Sequence, residues 1–192
     1  MASRTPIISN GKIIGIEEAT PIIVTNDKNF TILIQDNTIT FDLVDGYKGW
    51  DIYVENIKKY MSPIFESNII NKINQIGVRY ISNFDEIMIY DHINANINLA
   101  FVKTDFKGQS RFEFSNNNST VILNLISGSI IANSKNETPK LGSIIDIDVI
   151  QKPNISSIGE LVKIVNEIHE VEKSIFFSLL KESFLSTLNP IY

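Results

Sequence analysis

Two segments of the chain alternate apolar and polar residues, and this alternation constrains the fold more than any other sequence feature. In residues 142–150 two aspartates interrupt a run of apolar positions: Ile145, Asp146, Ile147, Asp148 and Val149. Residues 73–83 repeat the pattern, with Ile76, Val78 and Tyr80 on one face and Gly77, Arg79 and Ile81 on the other. A period of two is typical of a strand with one buried face. We therefore predict two strands that turn Arg79, Asp146 and Asp148 to the same side.

Further strands surround these two segments. Residues 30–44 indicate a hairpin that turns at Asp36-Asn37, because Asp and Asn tolerate the backbone angles of a tight turn. Residues 73–83 are predicted to form the central strand of the sheet. Five more β-rich runs follow before the last strand, at 84–90, 97–104, 110–115, 119–126 and 129–132. Such closely spaced strands favour an antiparallel meander.

Two apolar stripes at helical spacing predict the main helices. The first helix is expected over residues 46–62, with Pro63 ending it. The second is expected from about Ile158 to Leu185, and it begins at a capping box formed by Ser157 and Glu160. A helix this long is expected to bend, to expose its last turns or to pack on a partner.

The predicted fold class is α+β: an antiparallel sheet with two main helices packed on one face, the C-terminal one long. Residues 1–29 are interpreted as an N-terminal extension of short strands or mobile chain, and residues 30–192 as a single α+β domain. At 192 residues the chain is long enough for a core of its own, since a chain of this size buries about 70% of its unfolded surface.

The composition excludes several kinds of site. The chain has no cysteine, which excludes disulfides, thiol nucleophiles and cysteine-bound metals. Its formal net charge of −5 does not indicate nucleic-acid binding, which needs clustered Lys and Arg. The sequence has neither an apolar run of about 18 residues nor the apolar core of a signal peptide. We therefore expect a cytoplasmic protein without membrane contact.

Asp146 and Asp148 form the first candidate site. Two carboxylates two residues apart on a strand point to the same side, and together they could hold Mg²⁺ or Mn²⁺. The structural interpretation is that the solvated face of a strand needs polar residues. We favour the structural interpretation, because nothing nearby in the sequence supplies a third ligand.

Arg79, next to Tyr80, is the second candidate. An arginine flanked by apolar strand residues is costly unless its guanidinium is paired. With Tyr80 it could bind a phosphate or carboxylate ligand, or it could pair with Asp146 or Asp148 across the sheet. We favour the internal ion pair, since strand charges often pair with charges on a neighbouring strand.

The long helix carries the remaining candidates. Phe176 and Phe177 are adjacent and cannot both face one core, so one of them is predicted to reach a second chain. His169 lies between Glu167 and Glu170 but lacks the second histidine of a helical zinc site. We interpret His169 as a packing residue.

Four short blocks occur in a fixed order along the chain. They are Tyr47-Lys48-Gly49-Trp50, Gly77-Val78-Arg79-Tyr80-Ile81-Ser82-Asn83, Ile145-Asp146-Ile147-Asp148-Val149, and Ile168-His169-Glu170 followed by Phe176-Phe177. The ordered set resembles a sporadically distributed family of functionally uncharacterised bacterial and archaeal proteins, whose hallmark is an Arg-Tyr-Ile-Asn-Arg-like strand. The resemblance covers residues 28–190 and implies a shared fold without assigned catalytic residues. Ser82-Asn83 stands where the family has Asn-Arg, so no role of that second arginine carries over.

Three functions follow as hypotheses. We favour a non-enzymatic binding or assembly module that associates with itself or with a protein partner, because no phosphate loop, Rossmann fingerprint or nucleophile elbow occurs. The patchy distribution of the similar family suggests an accessory subunit of a prokaryotic defence or toxin–antitoxin-like system. The alternatives are a phosphoesterase or nuclease with Mg²⁺ or Mn²⁺ at Asp146 and Asp148, and a sensor of a small anionic ligand or nucleotide at Arg79. The first and third hypotheses need no cofactor.

Overall fold

The computed structural model describes residues 3–9, 12–19, 22–26, 30–35, 37–43, 46–95, 107–131 and 139–188. The chain divides into two compact units, residues 1–61 and 62–192, and each is described by itself. The predicted α+β class is confirmed, since antiparallel sheets combine with two main helices of which the C-terminal one is longer.

The described part of the first unit contains a two-stranded and a three-stranded antiparallel sheet. Strands β1 (Ser3–Ser9) and β2 (Lys12–Ala19) form the first sheet, and β3 (Ile22–Asn26), β4 (Phe30–Gln35) and β5 (Thr38–Leu43) form the second. The predicted hairpin is confirmed as β4 and β5, with Gln35 opposite Thr38 at its turn.

Helix α1 (Trp50–Glu66) packs on the three-stranded sheet. Phe30 of β4 is 2% exposed, and its ring centroid lies 5.5 Å from that of Tyr53 and 6.5 Å from that of Tyr60. The Tyr53 hydroxyl donates to the Phe41 carbonyl at 2.9 Å. The apolar stripe read from the sequence is therefore the packing face of this helix.

The prediction that Pro63 ends α1 is wrong, because the helix includes Pro63 and continues to Glu66. Proline removes its own N–H and crowds the preceding turn, but its carbonyl still accepts a hydrogen bond. The Ser67 amide donates to the Pro63 carbonyl at 3.0 Å. The turn that follows the proline is therefore intact.

The second unit is built on a four-stranded antiparallel sheet. Its strands are β6 (Ile76–Asp85), β7 (Gly108–Asn116), β8 (Ser119–Ile131) and β9 (Lys140–Gln151), in the order β6-β9-β8-β7. Among the described strands β9 and β8 lie at the centre, so the prediction of a central strand at 73–83 is wrong. Alternation within one strand reports which side is buried and carries no information about which strands lie beside it.

Two of the predicted strand boundaries also change. The run 84–90 is not one strand, because β6 ends at Asp85 and a 3-10 turn follows at Ile89–Asp91. Ile89 is fully buried there, and its amide donates to the Ser143 hydroxyl at 3.0 Å. The run 119–126 and the described part of the run 129–132 belong to the single strand β8, which continues through a bulge at Gly128 to Ile131. The run predicted at 97–104 lies outside the described residues.

Helix α2 (Ile158–Leu179) begins at the predicted capping box, where the Glu160 amide donates to the Ser157 hydroxyl at 3.3 Å. The prediction of one helix to Leu185 is wrong. Leu180 is extended, and a short helix α3 (Glu182–Leu185) follows it. The Asn94 side chain donates to the carbonyls of Ser178 and Leu180, at 2.9 and 3.0 Å. A long-range contact therefore satisfies the end of α2 and allows the chain to bend there.

Helix α2 packs against β6 and β9. The face of the sheet that it covers carries side chains that are almost fully buried: Val78, Val121, Leu125, Ile145, Ile147 and Val149. The ring of Tyr80 lies on this face too, with its centroid 5.6 Å from that of His169 on the helix. The two main helices therefore belong to two helix–sheet pairs, α1 with β4 and β5, and α2 with β6 and β9.

Candidate functional site

The candidate site lies on the side of the four-stranded sheet that faces away from α2, which we call the open face. Residues paired directly across an antiparallel sheet project to the same side. Among the residues that the register assigns to the open face are Arg79, Ile81, Arg111, Glu113, Ile122, Asn124, Ile126, Ile144, Asp146, Asp148 and Ile150. The prediction that Arg79, Asp146 and Asp148 share one surface is confirmed.

Arg79 and Asp146 form a two-point ion pair across β6 and β9. The Arg79 Nε donates to Asp146 Oδ1 at 2.7 Å, and Nη2 donates to Oδ2 at 2.8 Å. Paired, charge-assisted hydrogen bonds of this kind are the strongest that side chains form. The internal ion pair favoured from the sequence is therefore confirmed, although the Arg79 side chain remains 57% exposed while that of Asp146 is 9% exposed.

The ion pair belongs to a hydrogen-bonded row that crosses all four strands. The Asn124 amide donates to Asp146 Oδ2 at 3.0 Å, and Arg111 Nη1 donates to Asn124 Oδ1 at 3.3 Å. Burial by itself raises the pKa of Asp146, but the hydrogen bonds from Arg79 and Asn124 outweigh it and leave the pKa below its ordinary value. Asp146 is therefore a firmly ionised carboxylate at neutral pH.

Asn124 was not recognised as a site residue from the sequence. It is a single polar residue inside the apolar run of β8, between Leu123 and Leu125. Its position in the alternation could have assigned it to the polar face. What the alternation could not indicate is its pairing with Asp146, which depends on the register of β8 against β9.

Asp148 is the unsatisfied member of the site. It lies directly opposite Arg79 in the register, yet no hydrogen bond reaches its carboxylate from any described residue. Its Oδ1 lies 3.5 Å from the point that a Cβ on Gly77 would occupy, so the missing side chain of Gly77 leaves room for it. Burial raises the pKa of Asp148, and the charge of Asp146 adds to the rise while Arg79 opposes it.

The geometry does not favour a metal at Asp146 and Asp148. Both oxygens of Asp146 already accept hydrogen bonds, and the positive Arg79 guanidinium stands where it would repel a cation. Divalent cations in proteins need several oxygen ligands. Within the ranges that the structure describes, no three His, Asp or Glu side chains lie together as a possible metal site.

The geometry also does not favour an anion clamp at Arg79. Two of its nitrogens are engaged by Asp146, and Asp148 adds a second negative charge beside it. Tyr80, which the sequence grouped with Arg79 as a ligand-binding residue, lies on the opposite face of the sheet against α2. The structure therefore separates these two residues, because neighbours in a strand project to opposite sides.

On α2 the predicted packing role of His169 agrees with its burial, since it is 9% exposed. Its Nδ1 lies 3.7 Å from Oε2 of Glu172, which is itself only 4% exposed. Burial raises the pKa of Glu172 to about 7 and lowers that of His169. Glu172 was missed from the sequence, although its spacing of four residues from Ile168 assigns it to the buried stripe.

Phe176 and Phe177 are both partly exposed on α2. Their rings stand nearly perpendicular, at 85°, with centroids 5.5 Å apart. They belong to the helix that covers the other face of the sheet, so the interface predicted for them would be a different surface from the open face. That interface stays a prediction.

The chain was compared with protein-family models, with curated proteins and with solved structures, and none of them matched. The family resemblance drawn from the four sequence blocks therefore stays a prediction. Of the helices in the described residues, none combines the length and the apolar character needed to cross a bilayer.

Proposed function

We propose that the protein is a non-enzymatic assembly module that associates with a second copy of itself through the open face. The observation that carries this proposal is a ring of isoleucines around the polar residues of β9. Ile81 and Ile122 flank Asp146 and Asp148 across the strands, and Ile144 and Ile150 lie beyond them along β9. Ile81 is 55% exposed, and the other three are partly exposed. Several exposed or partly exposed apolar side chains on one face of a sheet are typical of protein-binding sites.

The charges of the open face support the same proposal. Arg79 and Arg111 balance Asp146 and Asp148, and the hydrogen-bonded row already satisfies most of the polar groups. Glu113, opposite Ile122 on β7, adds a further negative charge towards the edge of this face, so the face carries charges of both signs and complementary charges on the partner would favour binding. Because it carries both signs side by side, it complements a copy of itself, as a two-fold interface requires.

The other two hypotheses have less support from the geometry. A metal-dependent hydrolase would need ligands beyond Asp148, since Asp146 is occupied by Arg79. A small anion arriving from water would gain little at Arg79, because two neighbouring carboxylates already offset its charge and no apolar contacts would accompany the anion. The proposed link to defence systems rests on the family resemblance alone and takes no support from the contacts of the open face.

Sedimentation velocity over a range of micromolar concentrations tests the proposal. We expect the unmodified chain to form a dimer and the Ile81→Asp variant to be monomeric, because a carboxylate would replace an exposed apolar contact. Ile69→Asp is the matched control, since Ile69 is 78% exposed and lies outside the sheet. A chain that stays monomeric at every concentration, or an Ile81→Asp variant that dimerises like the control, would contradict the proposal.

A further inference from the structure

We infer that Arg79 and Asp148 form reciprocal intermolecular salt bridges, and that these select a second copy of this chain as the partner at the open face. The inference rests on the proposed self-association and adds to it the residues that decide the partner. It starts from Asp148, a half-buried carboxylate on this face to which no described residue donates a hydrogen bond.

Asp148 is the acceptor in this contact. It is half-buried among the isoleucines, and no described residue donates to its carboxylate. A second surface placed over the open face would remove most of its remaining water. Burying a carboxylate without a donor is costly, so the covering surface has to bring a positive group to this point.

Arg79 is the donor. A guanidinium carries five N–H groups, and the ion pair with Asp146 uses only Nε and one hydrogen on Nη2. Nη1 donates to no described residue. Since the side chain is 57% exposed, a partner can reach these remaining donors while Asp146 holds the guanidinium in place.

Two-fold symmetry connects the donor and the acceptor. When one surface binds a copy of itself, each contact between two residues occurs twice. Arg79 and Asp148 are direct cross-strand neighbours, so their side chains start about 5 Å apart. An axis passing between them brings each Arg79 to the Asp148 of the other copy, and the four groups form one cluster near the axis.

The surrounding isoleucines strengthen the salt bridges of this cluster. Ile81, Ile122 and Ile150 surround it on the open face. Apolar residues around a charged contact exclude water and thereby strengthen it. A partner without an arginine at the corresponding place would leave Asp148 buried and unpaired, which is how the contact distinguishes a second copy from other proteins.

Charge exchange between Arg79 and Asp148 tests the inference. In the dimer of Asp148→Lys, Arg79 of each copy would face the new lysine of the other copy. In the dimer of Arg79→Glu, the new glutamate of each copy would face Asp148 of the other copy. We expect each variant alone to dimerise more weakly by roughly tenfold or more. An equimolar mixture should dimerise like the unmodified chain, because both contacts are then between opposite charges.

Asp148→Asn covers the case in which Arg79→Glu does not fold. Asp148 makes no hydrogen bond within the described chain, so this variant should keep the melting temperature of the monomer, which is measured at concentrations too low for association. It should still weaken dimerisation by roughly tenfold. Glu167→Gln, the same change at an exposed position of α2 outside the open face, should leave dimerisation unchanged.

The outcomes separate the inference from the proposed function. If the unmodified chain dimerises and Ile81→Asp disrupts the dimer, but Asp148→Lys and Asp148→Asn do not weaken it, the salt bridges are refuted and the assembly function stands. If the unmodified chain never dimerises, both are refuted. Dimerisation weakened by both Asp148 variants and restored in the mixture would support the inference.

Discussion

Arg79 stands directly opposite Asp148 in the sheet, yet it donates both of its strong hydrogen bonds to Asp146, two residues along β9. This diagonal pairing makes the two aspartates different in kind. Asp146 is ionised and satisfied, with its pKa below the ordinary value. Asp148 is half-buried and accepts no hydrogen bond from a described residue, and burial raises its pKa. A sequence pattern of two equivalent carboxylates thus becomes one structural residue and one available acceptor.

Arg79→Ala is expected to destabilise the second unit moderately. The substitution leaves the buried Asp146 carboxylate with Asn124 as its remaining side-chain donor. A fully buried pair would lose more, but Arg79 is 57% exposed and water screens part of the interaction, so we expect a loss of about 1–2 kcal/mol. Urea denaturation measures it. Arg111→Ala, which removes one long hydrogen bond at an exposed position, should cost less than about 0.5 kcal/mol; an equal loss in both variants would count against the assignment.

The buried Glu172 is expected to make stability depend on pH. Its pKa rises on folding from the ordinary 4.5 to about 7, so the folded chain prefers the protonated carboxyl. Its contribution is fully present below pH 4.5 and is lost as the pH rises through 7. The loss amounts to about 3 kcal/mol by linkage. His169 acts in the opposite sense, because its pKa is lowered by burial and it favours folding at higher pH.

The variant Glu172→Gln separates the contribution of Glu172 to the pH dependence from that of His169. The neutral amide should remove the loss of folding stability that Glu172 causes as the pH rises. The variant should therefore become more stable than the unmodified chain above the pH range of ordinary carboxyl titration. Denaturation at a series of pH values measures the difference. Glu167→Gln is the control, because the Glu167 side chain is 49% exposed. Its stability should follow the same pH curve as that of the unmodified chain. Parallel curves for the unmodified chain and Glu172→Gln would show that the buried carboxyl is not the cause.

Two glycines are expected to respond in opposite directions to alanine. A Cβ on Gly142 would lie 2.5 Å from the Phe84 carbonyl oxygen and 2.9 Å from Ile131 Cδ1. The backbone of β6 would have to shift, so Gly142→Ala should cost about 1–3 kcal/mol, as overpacking does. Gly159, in the first turn of α2, has no heavy atom within 4 Å of its Cβ position. Gly159→Ala should therefore raise stability by about 0.5–1 kcal/mol, and thermal unfolding of both variants checks the contrast.

Asn94→Ala is expected to loosen the bend between α2 and α3. The Asn94 side chain is the donor for the carbonyls of Ser178 and Leu180, so its removal should cost about 1 kcal/mol. Amide hydrogen exchange should increase at the end of α2 while the start of the helix keeps its protection. Asn56→Ala is the control, because Asn56 bonds only to a carbonyl one turn earlier in its own helix. Uniformly faster exchange along α2 would contradict the assigned local role.

Periodic patterns carried most of the correct predictions. Alternation assigned Arg79, Asp146 and Asp148 to one face because successive side chains of a strand project to opposite sides. The helical stripe located α1 and α2, and the capping box marked the start of α2 at Ser157. These features depend on residues only a few positions apart. Local sequence is sufficient for them.

The errors arose where a distant residue decides the local structure. The 3-10 turn at Ile89 is held by Ser143, 54 residues along the chain, and the bend at Leu180 is held by Asn94, 86 residues away. The position of β6 at an edge of the described sheet depends on its pairing with β9. No pattern in 84–90 or 158–185 could have indicated these partners.

The sequence by itself determined which side chains turn to the same side of each strand and helix, because that follows from the backbone repeat. Only the tertiary structure decided which of the two aspartates Arg79 would bind, since Asp146 and Asp148 offer the same chemistry at adjacent positions of one face. The register of β6 against β9 puts Arg79 within reach of both aspartates, and the space at Gly77 receives the Asp148 carboxylate while Asp146 pairs with Arg79. Both are properties of two strands brought together from 67 residues apart.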